Sequence, residues 1–380
     1  MNMRTALNNR QLKQLKYAPG TTGKLLLRDC GGFLNRSWCD FFAKSPDATI
    51  FHSTEYIRYA SIENGFGDML LVEHQGNPCF ALPVHWGGVL IITTGYSGVV
   101  FPESNTERQL RHFVEKFVEF VMLNTHLRIE IIQSGQSATA LMPSRRNLIS
   151  SYMHQALIQE KQGTYTRVVD LRPDQDTKLS MRSCLMDNFE SKIRNQIKKA
   201  IDNDVRTISF DLRDKTDIDN FVDQYHLMHT ETFLRTGETP HPKYHFINLI
   251  RSFLTMEGTC IGTIAIKDNT PIAGVISTRF REVCLYWSGC STILGQKMNG
   301  NAAALLGAME FSGNAGAKFF ETGRFNRGLD GSKESAIERF KSQFGGEHFP
   351  VEYFSSPSVK SLSVKFLHRL VNFFSRLFPL

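Results

Sequence analysis

Residues 281–346, REVCLYWSGCSTILGQKMNGNAAALLGAMEFSGNAGAKFFETGRFNRGLDGSKESAIERFKSQFGG, hold the pattern that decides the fold. Glu282 to Gly289 is dense in branched and aromatic residues and is predicted as a buried strand. Strict alternation along it sends Tyr286 and Ser288 to one face and Trp287 to the other. Gly295 to Asn301 breaks the run with a glycine-containing loop. Ala302, Leu305, Leu306 and Met309 then recur at helical spacing, until Gly313 and Gly316 end the helix. Ala317 to Thr322 reads as a second short strand, and Gly323 to Gly331 as a loop carrying Arg324 and Arg327. Strand, glycine loop, helix and strand in this order are one continuous piece of α/β architecture.

Upstream, Ile261 to Lys267 and Ile272 to Phe280, joined by Asp268-Asn-Thr-Pro271, form a hairpin. Asp217 to Leu234 and Pro242 to Met256 read as helices, separated by a connection whose prolines and glycine forbid regular helix. A helix is predicted over about Ser183 to Ile201, with Met186, Phe189, Ile193 and Ile197 on one face and Arg194 and Lys198 on another. The amino-terminal half holds a hairpin, Asp68 to His74 and Cys79 to Trp86, around Gln75-Gly76-Asn77-Pro78. An amphipathic helix over Glu107 to Asn124 follows. The order of elements permits two related domains: an arm over 1–22, domains over 23–160 and 161–355, and a tail over 356–380.

At 380 residues the chain has room for two cores, and 41% hydrophobic with 21% charged residues is a globular balance. The seven cysteines include no CxxC pair, which fits buried thiols in a reducing compartment. No apolar run is long enough to span a bilayer and no signal core opens the chain, so a cytoplasmic location is expected. The formal charge of +7 favours anionic partners. In the tail, Val364, Leu367, Val371, Phe374 and Phe378 share one helical face, and Lys365, Arg369, Asn372 and Arg376 the opposite one. Such a helix either docks on its own domain or lies on an anionic membrane surface, making the protein peripheral on the inner face. There is no GxSxG elbow, no HExxH and no P-loop lysine, so hydrolase, metalloprotease and nucleotide-hydrolysing readings lack support, and no metal is expected.

The stretch 281–346 resembles the second half of a GNAT-like domain in the Fem peptidyltransferase and related acyltransferase group. The resemblance is carried by the aromatic strand ending in Ser288-Gly289, Asn301 opening the helix, a strand ending near Gly323, and Phe340-Lys341 ahead of Phe344-Gly345-Gly346. The basic helix Lys192-Ile-Arg-Asn-Gln-Ile-Lys-Lys-Ala200 and Ala273-Gly274 add to it. It covers residues 165–350 well and 25–160 by element order alone.

This resemblance implies tandem GNAT-like α/β domains of the acyl-CoA N-acyltransferase fold, with mixed sheets flanked by helices. The implied reaction moves an acyl group from acyl-CoA to an amine of an amino sugar or amino-acid-bearing cell-envelope precursor, the acceptor being a small molecule or lipid-linked. An aminoacyl-tRNA-dependent ligase of the Fem type and a non-catalytic binding protein on the same fold are the alternatives. Lys341 would stabilise developing negative charge or the donor phosphate, and Phe340 would shape the channel where donor meets acceptor. Without the flanking pattern, the pair reads as a surface lysine beside a core phenylalanine.

Tyr286 and Ser288 are candidates to line the cleft. Glu321 is either a desolvated general base or an exposed strand-end carboxylate. Lys297-Met-Asn-Gly300-Asn301-Ala302 nearly matches the Gln/Arg-x-x-Gly-x-Gly/Ala turn that grips the coenzyme A pyrophosphate, and reads equally as a capped helix start. Arg324 and Arg327 are placed to hold a phosphate or carboxylate.

Overall fold

The computed structural model describes residues 15–25, 41–57, 59, 68–86, 90–92, 99–104, 106–124, 130–133, 143–156, 158–161, 164–172, 180–254, 258–323, 325–326 and 333–355. The first part of the chain holds strands β1 (Thr21–Leu25), β2 (Asp68–His74), β3 (Asn77–Trp86) and β4 (Leu90–Ile92), helix α1 (Glu107–Leu123), β5 (Glu130–Gln133), α2 (Pro143–Ala156) and β6 (Ile158–Lys161). Next come β7 (Thr164–Asp170), α3 (Met181–Asn188), α4 (Ser191–Asp202), β8 (Arg206–Asp211), α5 (Lys215–Thr236), α6 (Lys243–Ser252) and β9 (Gly258–Lys267). Then follow β10 (Thr270–Phe280), β11 (Val283–Ser291), α7 (Ile293–Lys297), α8 (Gly300–Asn314), β12 (Phe319–Glu321), β13 (Phe325–Asn326), α9 (Lys333–Ser342), β14 (Glu347–Pro350) and β15 (Glu352–Ser355). Two compact units result, Met1–Gly163 with Pro350–Leu380, and Thr164–Phe349.

The first unit is built on a sheet of order β1-β2-β3-β4-β5-β15-β6. Its core sets Leu110, Val114, Phe117 and Val121 of α1 among Leu70, Phe80, Leu82 and Phe101. Thr106 caps α1 by accepting from the Gln109 amide at 3.2 Å. Gln75 and Gly76, both at positive φ, make the tight turn between β2 and β3.

Two expected boundaries move. Residues 15–22 are not a loose arm, because Leu15 is buried and β1 pairs with β2 from Thr21 onward. Residues 350–355 do not close the second domain, because β15 lies between β5 and β6 of the first sheet. The tail beyond Ser355 lies outside the described residues.

In the second unit the sheet runs β13-β7-β12-β11-β10-β9-β8, with β14 also on β7. Helix α8 covers one face and packs on α3 and α4, while α5 lies against the sheet and α6 packs on α5. Strands β9 and β10 are therefore almost wholly buried, which is why their sequences read as near-continuous apolar runs.

The helix expected over Ser183 to Ile201 is two helices, broken at Phe189, whose backbone is extended (ψ 151°). The break sets the Phe189 ring 5.1 Å from Phe344, edge to face, and lets the Glu190 amide donate to the Gln343 carbonyl at 2.9 Å. Tertiary packing thus overrides a helical period that runs straight through the site. The loop expected over Gly295 to Asn301 begins inside the one-turn helix α7, and only Met298 and Asn299, the latter at φ 56°, separate α7 and α8.

Candidate active site

A wedge between two strands forms the candidate site. Strand β11 pairs in parallel with β12 only where Val283, Cys284 and Leu285 face Phe319, Phe320 and Glu321. Beyond Leu285, β11 runs on to Ser291 beside β10, and among the described residues no strand covers its other edge. At the mouth of this opening the register of β10 and β11 slips: Ile276 faces Ser288, whereas Ser277 faces Tyr286. Trp287 is the extra residue of a β-bulge.

The bulge corrects the alternation expected for this strand. Tyr286 packs with the core under α8, while Ser288 turns the other way and accepts a hydrogen bond from the Tyr225 hydroxyl of α5 at 2.8 Å. An inserted residue inverts the side of every residue after it, so Tyr286 and Ser288 do not line the same wall. Trp287 sets its ring 5.0 Å from Phe253.

Lys341, near the end of α9, is buried rather than a surface lysine. Its Nζ lies 4.8 Å from the centre of the Tyr286 ring, a cation–π placement. Burial pushes the amine down to about 8, and the Glu321 charge opposes that shift. Among the described residues its Nζ makes no hydrogen bond or ion pair. Phe340 packs edge to face on Phe344 at 5.3 Å, and Phe344 is wholly buried.

Gly345 and Gly346, both at positive φ, pass so close to the Asn188 and Val168 carbonyls that a Cβ would sit 2.6 and 2.4 Å from them. The Phe-Lys and Phe-Gly-Gly elements therefore act together: the glycines bring the chain flat against α3 and β7, and that seats α9 with Lys341 facing β11.

Glu321 is buried, not an exposed strand-end group, and Thr166 of β7 donates to its Oε1 at 2.5 Å. After β12 the chain turns at Gly323 (φ 79°), where a Cβ would lie 3.1 Å from the Tyr286 carbonyl oxygen and 3.4 Å from Lys341 Nζ. A side chain at 323 would therefore press on the Tyr286 backbone and come into contact with the Lys341 amine. Burial also raises the Tyr286 phenol well above its ordinary value.

Of the expected donor-binding residues, Lys297, Gly300 and Asn301 lie at the far end of β11, a strand run of about 15 Å from Tyr286. Asn301 donates to the Ser291 hydroxyl at 3.2 Å, Lys297 is exposed at the end of α7, and Gly300 is the first residue of α8. Asn299 makes no side-chain cap, while its carbonyl accepts from the Ala302 and Ala303 amides at 3.1 and 3.2 Å, so an anion at this helix start would be met by the Gly300 and Asn301 amides and the dipole. Gly300 itself is buried, and a Cβ there would meet Ile272 and Ala273 at 3.1 and 3.2 Å. Close helix-to-sheet packing thus already demands glycine at 300. Arg324 and Arg327 lie outside the described residues.

Sequence reading missed Tyr225 and Thr166. Tyr225 shows only as one more apolar position on α5, and Thr166 as one alternate position on β7; neither carries a local mark of its partner.

The Acetyltransferase (GNAT) domain model matches residues 187–342. No curated protein matches the chain in sequence. Among solved structures, FemX aligns over 89% of this chain and 98% of its own with a TM-score of 0.60 at 10% identity. A conserved protein of unknown function from Bacteroides thetaiotaomicron VPI-5482 aligns over 84% of this chain and 94% of its own, with a TM-score of 0.53 at 10% identity. The matched residues contain α4 to α8, the wedge and Lys341. The chain therefore carries a GNAT acyltransferase domain at residues 187–342 and has the fold of FemX.

Proposed function

We propose that the protein transfers an acyl group from acyl-CoA to the amine of an amino sugar or of an amino-acid-bearing envelope precursor. The observation that carries this reading is the wedge, with buried Lys341 on one wall and, on the other, the edge of β11 that no described strand covers. Along Tyr286 to Gly289 the edge of β11 that no described strand covers suits the amide groups of an extended pantetheine arm, as an added strand would be held, whereas the Ser291 amide and carbonyl are already taken by Thr232 and Arg235 of α5. The start of α8 and Lys297 then receive the pyrophosphate, and the thioester reaches the mouth beside Gly323.

A thioester is already activated, so the protein's work is alignment and charge stabilisation. Lys341, protonated below about pH 8, stabilises the oxyanion that forms as the acceptor amine attacks. Glu321, held by Thr166, takes the proton that the amine loses. Phe340 shapes the channel and anchors α9 through Phe344.

Titration calorimetry with acetyl-CoA, followed by transfer assays on amino sugars and amino-acid-bearing precursors, tests the reading. Saturable binding and acylation of one acceptor class is expected. No binding of acetyl-CoA would overturn the donor assignment.

The FemX fold favours a second reading, in which an aminoacyl-tRNA ester supplies the donor carbonyl to the same wedge. The positive balance of the chain would then serve RNA contact. Transfer from charged tRNA with none from acyl-CoA would establish it.

A further inference from the structure

Lys341 differs from an ordinary electrostatic stabiliser. Its Nζ is buried and rests on the face of Tyr286, with no hydrogen bond or ion pair among the described residues to hold a proton on it. Tyr286 from β11, Glu321 from β12 and Thr166 from β7 are the polar and titratable groups packed around this wall. Position 323 adjoins Nζ, since a methyl group there would lie 3.4 Å from it, and glycine leaves that contact unmade. An acyl carbon held in the wedge beside Gly323 would lie next to an amine of the protein itself.

We propose that Lys341 is itself an acylation site: with acyl-CoA bound and no acceptor amine present, its Nζ takes the acyl group. This inference rests on the acyl-CoA reading above and adds a regulatory property to the same site. The unprotonated Nζ attacks the thioester carbonyl, a carbon–nitrogen bond forms, the carbon–sulfur bond breaks, and the thiol of coenzyme A leaves with the proton lost by nitrogen. The product is a neutral amide in place of a cation, filling the space beside Gly323. An enzyme holding donor without acceptor would thus close its own wedge. Burial lowers the amine to about 8, which supplies the neutral form near physiological pH without a separate base.

The test uses the purified full chain and acetyl-CoA with no acceptor, at pH 7 and pH 9, with peptide mapping by mass spectrometry and donor binding measured on the same sample. Acetylation at Lys341 is expected to outrun that at exposed Lys297, and to rise about tenfold between the two pH values as the amine is freed. In urea the preference for Lys341 is expected to vanish. Saturable acetyl-CoA binding with Lys341 unmodified, or modified no faster than Lys297, would overturn the proposal and leave the donor reading standing. Absence of saturable binding would remove both.

Discussion

Lys341 holds its Nζ 4.8 Å from the centre of the Tyr286 ring, and the two residues come from elements separated by more than fifty positions in the chain. Their meeting joins an amine in low dielectric to the strand edge that a donor would use. Burying a lysine has a cost, and the cost can be measured.

Lys341→Met is expected to abolish transfer while raising stability by about 1–3 kcal/mol at pH 7. The sign follows from the depressed amine: between about 8 and 10.5 the unfolded chain binds the extra proton, so the native protein gains stability as pH rises through that window. The advantage of the methionine variant should shrink towards zero by about pH 10.5. Chemical denaturation of both proteins at pH 7 and 10 checks this, and an equal or lower stability of the variant at pH 7 would contradict it.

Gly323→Ala places a methyl group 3.1 Å from the Tyr286 carbonyl oxygen at a φ of 79°. A loss of about 1–2 kcal/mol is expected from the left-handed backbone alone. Transfer should fall more than stability accounts for, because the methyl intrudes beside Lys341. Steady-state rates measured well below the melting temperature separate the two effects.

Gly300→Val does not report donor binding cleanly, since its side chain would press on Ile272 and Ala273. A destabilisation of about 1–3 kcal/mol is expected. Lys297→Ala is the cleaner probe: the side chain is exposed, stability should stay within about 0.5 kcal/mol, and acyl-CoA affinity should fall roughly fivefold. Calorimetric titration decides, and unchanged affinity would place the pyrophosphate elsewhere.

His229 is buried on α5 and accepts from the His241 amide at 3.1 Å, tying the α5–α6 connection to α5. Burial first, then the charges of His241, His226 and His245, depress it to about 4. Its stabilising contribution is complete above about pH 6.5 and is lost as pH falls from there towards 4, because the unfolded imidazole takes the proton more readily. His229→Gln keeps an acceptor but cannot titrate, so melting temperature in this variant should vary less across that window.

Residues 358–380 are the basis of a membrane prediction: salt-sensitive binding of the full chain to anionic vesicles, lost when they are deleted. Anionic lipid adds roughly 1 kcal/mol per basic residue. Vesicle sedimentation at low and high salt checks it, and binding that survives the deletion would assign the interaction to another part of the chain.

Local pattern sufficed for the parts. The β2–β3 and β9–β10 hairpins follow from turn residues at positive φ, and α1 from its apolar stripe. The resemblance carried by Phe340-Lys341 and Phe344-Gly345-Gly346 pointed to the right domain, because those glycines are demanded by backbone contacts wherever this packing occurs.

Tertiary structure alone decided the site. A bulge at Trp287 has no signature in Tyr286-Trp287-Ser288, since register belongs to the pair of strands and not to either one. Helices α3 and α4 separate at Phe189 because Phe344, far along the chain, offers a better contact than another helical turn. Whether Lys341 was solvated or buried depended on the seating of α9, and only that burial turns a common cation into an amine of lowered basicity. Sequence periodicity reports which face of an element is apolar; desolvation of one atom depends on what the rest of the chain brings against it.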